Sequence, residues 1–267
     1  MNISPSRLKK INGIALKLGV VANNAVGEKK IKDLIVSVRP VKVQKPLIRV
    51  GPEGDGGYLV PDDFEGITAS FSPGIGLVST FDEAVANMGI NVYMADASVD
   101  GPSVSHPLFH SRKKYLGCYN DDTFLTLDKW VAECAPNGHE DLLLQMDIES
   151  SEYTAIPSIP DDLLKRFRII IVEFHGLQRL WDKFFFSVAS ACFNKLLQNH
   201  VCVHIHPNNN GGVYSYKGID IPKAMEFTFY RKDKAEVQGF ANQFPHPLDF
   251  DNVSKNQVHL PKQWYKD

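Results

Sequence analysis

The chain has 267 residues, a formal net charge of −2 at pH 7, 43% hydrophobic and 22% charged residues. That length supports one large domain with a sizeable core, and the composition is that of an ordinary globular protein. The near-neutral balance gives no field for nucleic acid, so an acidic ligand would have to be met by local cations. Cys118, Cys134, Cys192 and Cys202 lie far apart with no CxxC pair, a pattern expected of free thiols in a reducing compartment. Ile14–Val21 is short and broken by Lys17, unlike a secretory signal, and no apolar run nears the roughly 20 residues of a membrane span. The expectation is a cytoplasmic protein with no transmembrane segment and no nucleic-acid partner.

Residues 1–45 are expected to form an N-terminal helical extension to an α/β domain over 46–267. Ser4–Gly19 places Leu8, Ile11, Ala15 and Leu18 at helical spacing, with Arg7, Lys9, Lys10 and Lys17 on other faces, and Lys29–Val38 reads as a second helix. Such an arm suits packing or a homo-oligomer contact; the sharper alternative is a basic amphipathic helix on an acidic surface. Ile67–Ser72 is the first strand of a regular alternation. The turn Pro73-Gly74-Ile75-Gly76 follows it, and then a helix over Val78–Met88 that Gly89 stops. Asn91–Ala95 is a strand ending on Asp96, and Lys114–Cys118 is the candidate third strand. A helix over Leu125–Cys134 leads to a buried strand at Asp141–Met146. Asp161–Phe167 (helix), Ile169–Phe174 (strand), Phe184–Gln198 (helix) and Val201–Ile205 (strand) continue the alternation. Met225–Tyr230 alternates with period two, as a sheet-edge or antiparallel strand does, and the tail after Gly239 suits an ordered wrap or a lid. Alternating strands and helices predict an open, mostly parallel sheet covered on both faces. Ligands of such sheets bind beyond the carboxyl ends of the strands, where strand order reverses.

The residues at those ends carry the candidate chemistry. The glycine turn after Ser72 lets a ligand approach the backbone at Gly74 and Gly76, and Asp96 stands where an acid can accept ribose hydroxyls. The bland reading of Asp96 is a turn or N-cap residue before Ser98. Asp147 follows the apolar run Leu142–Leu144. A carboxylate there can orient a positive centre, hold a metal or take a proton, while Glu149 and Glu152 can serve merely as capping acids. Glu173 and His175 repeat the arrangement one strand on, and His204 and His206 repeat it again. Hard oxygen and imidazole donors suit either a divalent ion or a general base with an orienting partner. Gly54-Asp55-Gly56-Gly57-Tyr58 is a glycine-rich turn that is either a plain hairpin or a support for Asp55 and Tyr58 against a ligand.

Leu125-Thr126-Leu127-Asp128, then Leu143-Leu144-Gln145-Met146-Asp147-Ile148-Glu149 and Glu152, resemble the Thr-Leu-Asp … Lys-Ile-Asp-Val-Glu-Gly-x-Glu signature of FkbM-type methyltransferases. Asp55–Tyr58, Val172–His175, His204–Asn209 and Arg231–Asp233 resemble a bacterial branch of them, and the likeness spans roughly 48–233. The resemblance implies a Rossmann-like class I methyltransferase sheet of seven strands, the last antiparallel, and S-adenosylmethionine as cofactor. It implies that Ser72, Gly74 and Gly76 line the amino-acid part of the cofactor, that Asp96 holds the ribose, and that Asp147 lies near the transferred methyl. The implied acceptor is a hydroxyl of a sugar or sugar-containing small molecule, as in surface-polysaccharide or natural-product pathways. Asp55 and Tyr58 join the expected cofactor site, and Asp147, Glu173, His175 and His206 are the expected catalytic set. The same four would hold a divalent ion (Mg or Mn) in a metal-assisted variant. Three positions depart from the family pattern: the acid-x-Gly-x-Gly-x-Gly loop reads Ser70-x-Ser72-x-Gly74-x-Gly76, Ser150 replaces a glycine, and Gln145 replaces a lysine. A nicotinamide-dependent oxidoreductase and a non-catalytic binding module are the alternatives from other classes.

Overall fold

The computed structural model describes residues 4–17, 25–76 and 78–267. Helices α1 (Pro5–Leu16) and α2 (Glu28–Ser37) precede three short strands, β1 (Val41–Val43), β2 (Leu47–Val50) and β3 (Tyr58–Pro61). The alternation then runs β4 (Ile67–Pro73), α3 (Thr80–Asn87), β5 (Asn91–Ala95) and β6 (Phe109–Arg112), followed by a small ladder of β7 (Tyr115–Leu116) with β8 (Phe124–Leu125). Next come α4 (Leu127–Cys134), β9 (Asp141–Met146), α5 (Glu152–Ser158), α6 (Asp161–Leu164) and β10 (Phe167–His175). The chain closes with α7 (Lys183–Asn199), β11 (His200–Pro207), the hairpin β12 (Val213–Tyr216) and β13 (Ile219–Pro222), then β14 (Ala224–Arg231) and β15 (Val237–Phe240).

Seven strands form one sheet in the order β11-β14-β10-β9-β4-β5-β6. All neighbours are parallel except β14, the last of the seven in sequence, which runs antiparallel to both β10 and β11. This is the seven-stranded, Rossmann-like class I methyltransferase sheet. The central strands are nearly continuous apolar sequence because both faces are covered. Leu142 and Leu144 of β9 belong to the core under α2, α4 and α7, and Leu143 between them belongs to the opposite core with Tyr58, Phe81 and Val85.

One strand expectation is corrected and another is sharpened. Lys114–Cys118 is not the third parallel strand; Phe109–Arg112 pairs with β5 in its place. Phe-His-Ser-Arg is a half-exposed edge, so it carries little apolar signal. Met225–Tyr230 is antiparallel but lies inside the sheet, since both its neighbours are bonded and even Glu226 and Thr228 are buried. Period-two polarity there marks a buried polar row, not a wet face.

Strand order reverses between β4 and β9: β5 and β6 lie to one side of β4, β9 and β10 to the other. Their carboxyl ends therefore form the expected crevice. The segment before the sheet is joined to it, with Ile31, Leu34 and Ile35 of α2 in the main core and β1 paired with β15. On α1, Ile11 and Ile14 are exposed, and Leu18 lies outside the described residues. Among the described residues no helix is long and apolar enough to cross a membrane, and all four cysteines are free.

Candidate functional site

At the crevice, β4 and β9 are locked together by glycine. Gly74 has φ +83°, its amide donates to Ala95 O at 3.0 Å, and a Cβ built on it would sit 1.7 Å from the Asp147 carbonyl oxygen. Gly74 is thus required for the close passage of the chain that carries Asp147. Gly76 differs: it also has positive φ (+50°), but nothing lies within 4 Å of a Cβ there, so its backbone faces open space. Its amide donates to Asp96 Oδ2 at 3.1 Å, while Asp96 Oδ1 accepts from the Ser98 amide and hydroxyl at 2.7 and 2.6 Å. Asp96 therefore closes the loop, as its bland reading had it, and a ribose there would share an already engaged carboxylate.

A pocket of about 130 Å³ opens beside this loop, lined by Asp55, Tyr58, Gly74, Gly76, Asp82 and Asp147 among others. Ser72 lies behind it, fully buried, its hydroxyl donating to Gln145 Oε1 at 2.7 Å; Gln145 Nε2 donates in turn to Tyr58 Oη at 3.2 Å. Tyr58 packs edge-on to Phe81. Its phenol is held well above its ordinary range by burial and by Glu226, Asp147 and Glu173, so it is a neutral donor at physiological pH. Gln145, where the family pattern has lysine, is the link between the two. The pocket fits part of an extended polar ligand: open backbone at Gly76, a phenol, and carboxylates at its rim.

Asp147 leads from this pocket into the acid/His cluster. His175 Nε2 stands 3.4 Å from Glu173 Oε1, 3.6 Å from Glu149 Oε2 and 3.9 Å from Asp147 Oδ1, and its Nδ1 is 3.5 Å from Glu152 Oε1. Burial, then the Glu173 charge, pushes Asp147 up to about 8, with His175 opposing. Burial likewise raises Glu173, although His175 and a 2.9 Å bond from Asn208 Nδ2 offset part of it. Burial opposes a charged His175, but Glu152, Glu173 and Asp147 outweigh it and raise the imidazole to about 9. The cluster therefore holds and exchanges protons as a unit near neutral pH. The buried Asp147 Oδ1 and His175 Nδ1 have no hydrogen-bond partner. Glu149 and Ser150 follow at φ +53° and +79°. Left-handed backbone favours glycine at position 150, and a serine there costs about 1–2 kcal/mol. Strain of this kind gathers at functional sites.

The expected ion set is corrected by the strand order. β14 lies between β10 and β11, so Glu173 pairs with Glu226 and Glu226 with His206, which puts His206 two strand spacings, roughly 10 Å, from Glu173. Among the described residues the donors that converge are Asp147, Glu149 and His175 in one group and His204, His206 and Asp249 in another. In the second, His204 Nε2 is 2.9 Å and His206 Nδ1 3.6 Å from Asp249 Oδ1, while the His246 amide donates to Oδ2 at 2.7 Å. Burial opposes its charge, yet these imidazoles hold Asp249 below the usual carboxylate range. That arrangement fastens the tail to the sheet. Orphaned atoms occur in both groups, His206 Nδ1 and Nε2 in the second, but the first adjoins the glycine-bounded pocket through Asp147 and offers two carboxylates to one imidazole, the harder donor set for a divalent ion.

No family model matches the chain, and no curated protein matches it in sequence. Among solved structures, it is similar to one from Anabaena variabilis ATCC 29413 provisionally assigned as a methyltransferase of an antibiotic biosynthesis pathway. Identity is 15%, over 70% of this chain and 67% of that one, with a TM-score of 0.26. The likeness is loose. At that level it carries no functional weight, and the chemistry has to be reasoned from the side chains themselves.

Four participants escape a reading of the sequence. Glu226 is buried between Glu173 and His206, accepts from Asn252 Nδ2 at 2.7 Å, and is pushed up to about 8 by burial, with Glu173 adding to it and His206 opposing. Its signal is an acid inside an otherwise apolar alternating strand. Asn252 also donates to Asp55 at 3.1 Å, tying the exposed glycine turn to the sheet. Asn252 and Asp249 come from the irregular tail, where nothing local marks them. Asp82 is concealed by its place in a helix's first turn.

Proposed function

We propose that this chain is an S-adenosylmethionine-dependent O-methyltransferase acting on a hydroxyl of a sugar-containing small molecule. The observation that carries the reading is the junction at Gly74, where a glycine-bounded pocket at the sheet's switch point meets a half-buried carboxyl, Asp147, whose Oδ1 has no hydrogen-bond partner among the described residues. Ser72, Gly74 and Gly76 would flank the amino-acid part of the cofactor, Tyr58 and Asp55 its outer side, and Asp96 the ribose. S-adenosylmethionine supplies a methyl group already activated on sulfonium. The remaining work, alignment and proton removal, belongs to the chain.

Asp147 is the better base of the two candidates. His175 is protonated at neutral pH, so it serves as a cation that steadies the carboxylates; Asp147 has the raised proton affinity and the free oxygen. The acceptor hydroxyl would give its proton to Asp147 as its oxygen bonds the methyl carbon and the carbon–sulfur bond breaks. Glu173 and Glu152 hold His175 in place, and His206 acts from the far side of Glu226. Methyl transfer is expected to rise with pH through about 8 as this base loses its proton.

A second reading has one specific support, the orphaned Asp147 Oδ1 beside Glu149 and His175. These three would hold a divalent ion that lowers the acceptor's pKa. Dialysis against a chelator separates the two, since full activity without recoverable metal removes the second. Calorimetry with S-adenosylhomocysteine and NAD, together with mass spectrometry of copurified small molecules, tests the class. NAD binding alone would point to an oxidoreductase; binding of neither would point to a non-catalytic module.

A further inference from the structure

The cofactor loop lacks its acid. Where acid-x-Gly-x-Gly-x-Gly begins with a carboxylate, β4 carries Ser70, fully buried, its hydroxyl without a partner. A carboxyl nevertheless lines the pocket beside this loop. Asp82, in the first turn of α3, is 3% exposed and lines the pocket with Gly74, Gly76 and Asp147. Its Oδ1 has no hydrogen-bond partner, and no ion pair among the described residues includes it. An acid in a helix's first turn is commonly a dipole-compensating surface residue. That role asks for neither burial nor an unpaired oxygen at a cavity wall, and both are costly without a cation. Burial pushes Asp82 up to about 7, with the Ser72 hydroxyl and its own amide offsetting part of the rise. The carboxyl is therefore readily ionised when a cation arrives.

We infer that Asp82 Oδ1 is the anchor for a primary ammonium group, the α-ammonium of the cofactor's amino-acid moiety, replacing from α3 the carboxylate that position 70 lacks. This rests on the S-adenosylmethionine reading above. The ammonium would supply the missing donor at Oδ1 and neutralise the buried charge, and Gly76 leaves room for the chain that bears it.

Calorimetry on the full chain tests it, with S-adenosylhomocysteine, its deaminated analogue and 5′-methylthioadenosine, which lacks the amino-acid group. Asp82→Asn is expected to weaken S-adenosylhomocysteine by roughly ten- to a hundredfold, the scale of one charge-assisted hydrogen bond. It should leave methylthioadenosine within about twofold, well below that scale. In the parent protein the deaminated analogue should bind weaker than S-adenosylhomocysteine by a similar factor, a comparison that survives even if the variant fails to fold. Equal affinity of the deaminated analogue and S-adenosylhomocysteine for the parent would overturn the assignment. Equal losses for both nucleosides in Asp82→Asn would do the same, by making the residue structural. A parent that binds no S-adenosylhomocysteine would instead overturn the cofactor reading itself.

Discussion

The same three strands carry charge at both ends, and the two ends are built differently. At one end Asp141 begins β9, Arg168 lies near the start of β10 and Arg231 ends β14. Arg168 Nε and Arg231 Nη1 reach Asp141 at 2.8 and 2.5 Å, and Arg168 Nη1 also donates to the Asp63 and Glu65 carbonyls at 3.0 and 2.7 Å. Burial opposes the Asp141 charge, yet the two arginines hold it below its ordinary value. At the other end Asp147, Glu173 and Glu226 are all raised, with imidazoles as their nearest cations. A charge cluster that serves the fold is neutralised within the chain. One left with excess carboxylate and orphaned atoms is arranged for a proton or a ligand, which is why the candidate site belongs at the second end.

The largest expected effect sharpens that contrast. Asp147→Asn should lower methyl transfer by about 10²–10⁴-fold while leaving the melting temperature level or higher, because it removes the base but keeps the shape of a carboxyl whose Oδ1 has no partner to lose. Arg168→Met at the opposite end should do the reverse. Removing one of the two cations on Asp141, together with the donor to the Asp63 and Glu65 carbonyls, is expected to cost about 3–5 kcal/mol in urea unfolding, with S-adenosylhomocysteine affinity unchanged in the protein that remains folded. If the two variants exchanged phenotypes, the division between a closed end and an open end would be wrong.

Much of this plan is legible in the sequence. The strands at Ile67, Asn91, Asp141, Ile169 and Val201 announce themselves through apolar runs, and the residues that end them do lie at or just past the carboxyl ends of those strands. What local pattern cannot supply is strand order. His206 looks like a neighbour of Glu173 when strands are counted along the chain, and it becomes a neighbour of Glu226 once β14 is inserted between them. Asp249, bonded to His204 from 45 residues away, is invisible for the same reason. β6 is lost because a half-wet edge needs few apolar residues. Asp82 is lost because an acid in a helix's first turn already has a sufficient explanation.

The tail clasp should matter less than either end of the sheet. Asp249→Asn replaces a carboxylate that bonds His204 and stands 3.6 Å from His206, so a loss of about 1.5–3 kcal/mol is expected at pH 7, together with faster proteolysis of the segment after Phe240. A folded pKa held low contributes stability above the unfolded carboxylate value and loses it as pH falls, so the gap between variant and parent should shrink below about pH 4. A gap that persisted in acid would mean packing, not charge, fastens the tail.

The smallest effect is also the one whose sign is least intuitive. Glu226 has a folded pKa raised to about 8, against an unfolded value of about 4.3. Between those values the folded chain retains a proton that the unfolded chain has released, so stability falls as pH rises through that window. Glu226→Gln keeps the bond from Asn252 and removes the titration. The variant should therefore melt with the parent near pH 4 and gain on it towards pH 8, by a few degrees for each kcal/mol gained in a domain this size. A gain that instead grew toward acid would mean that His206 holds Glu226 ionised in the folded state. The pair would then be a salt bridge like those at the far end of the strands, and Glu226 would belong to the closed half of the molecule.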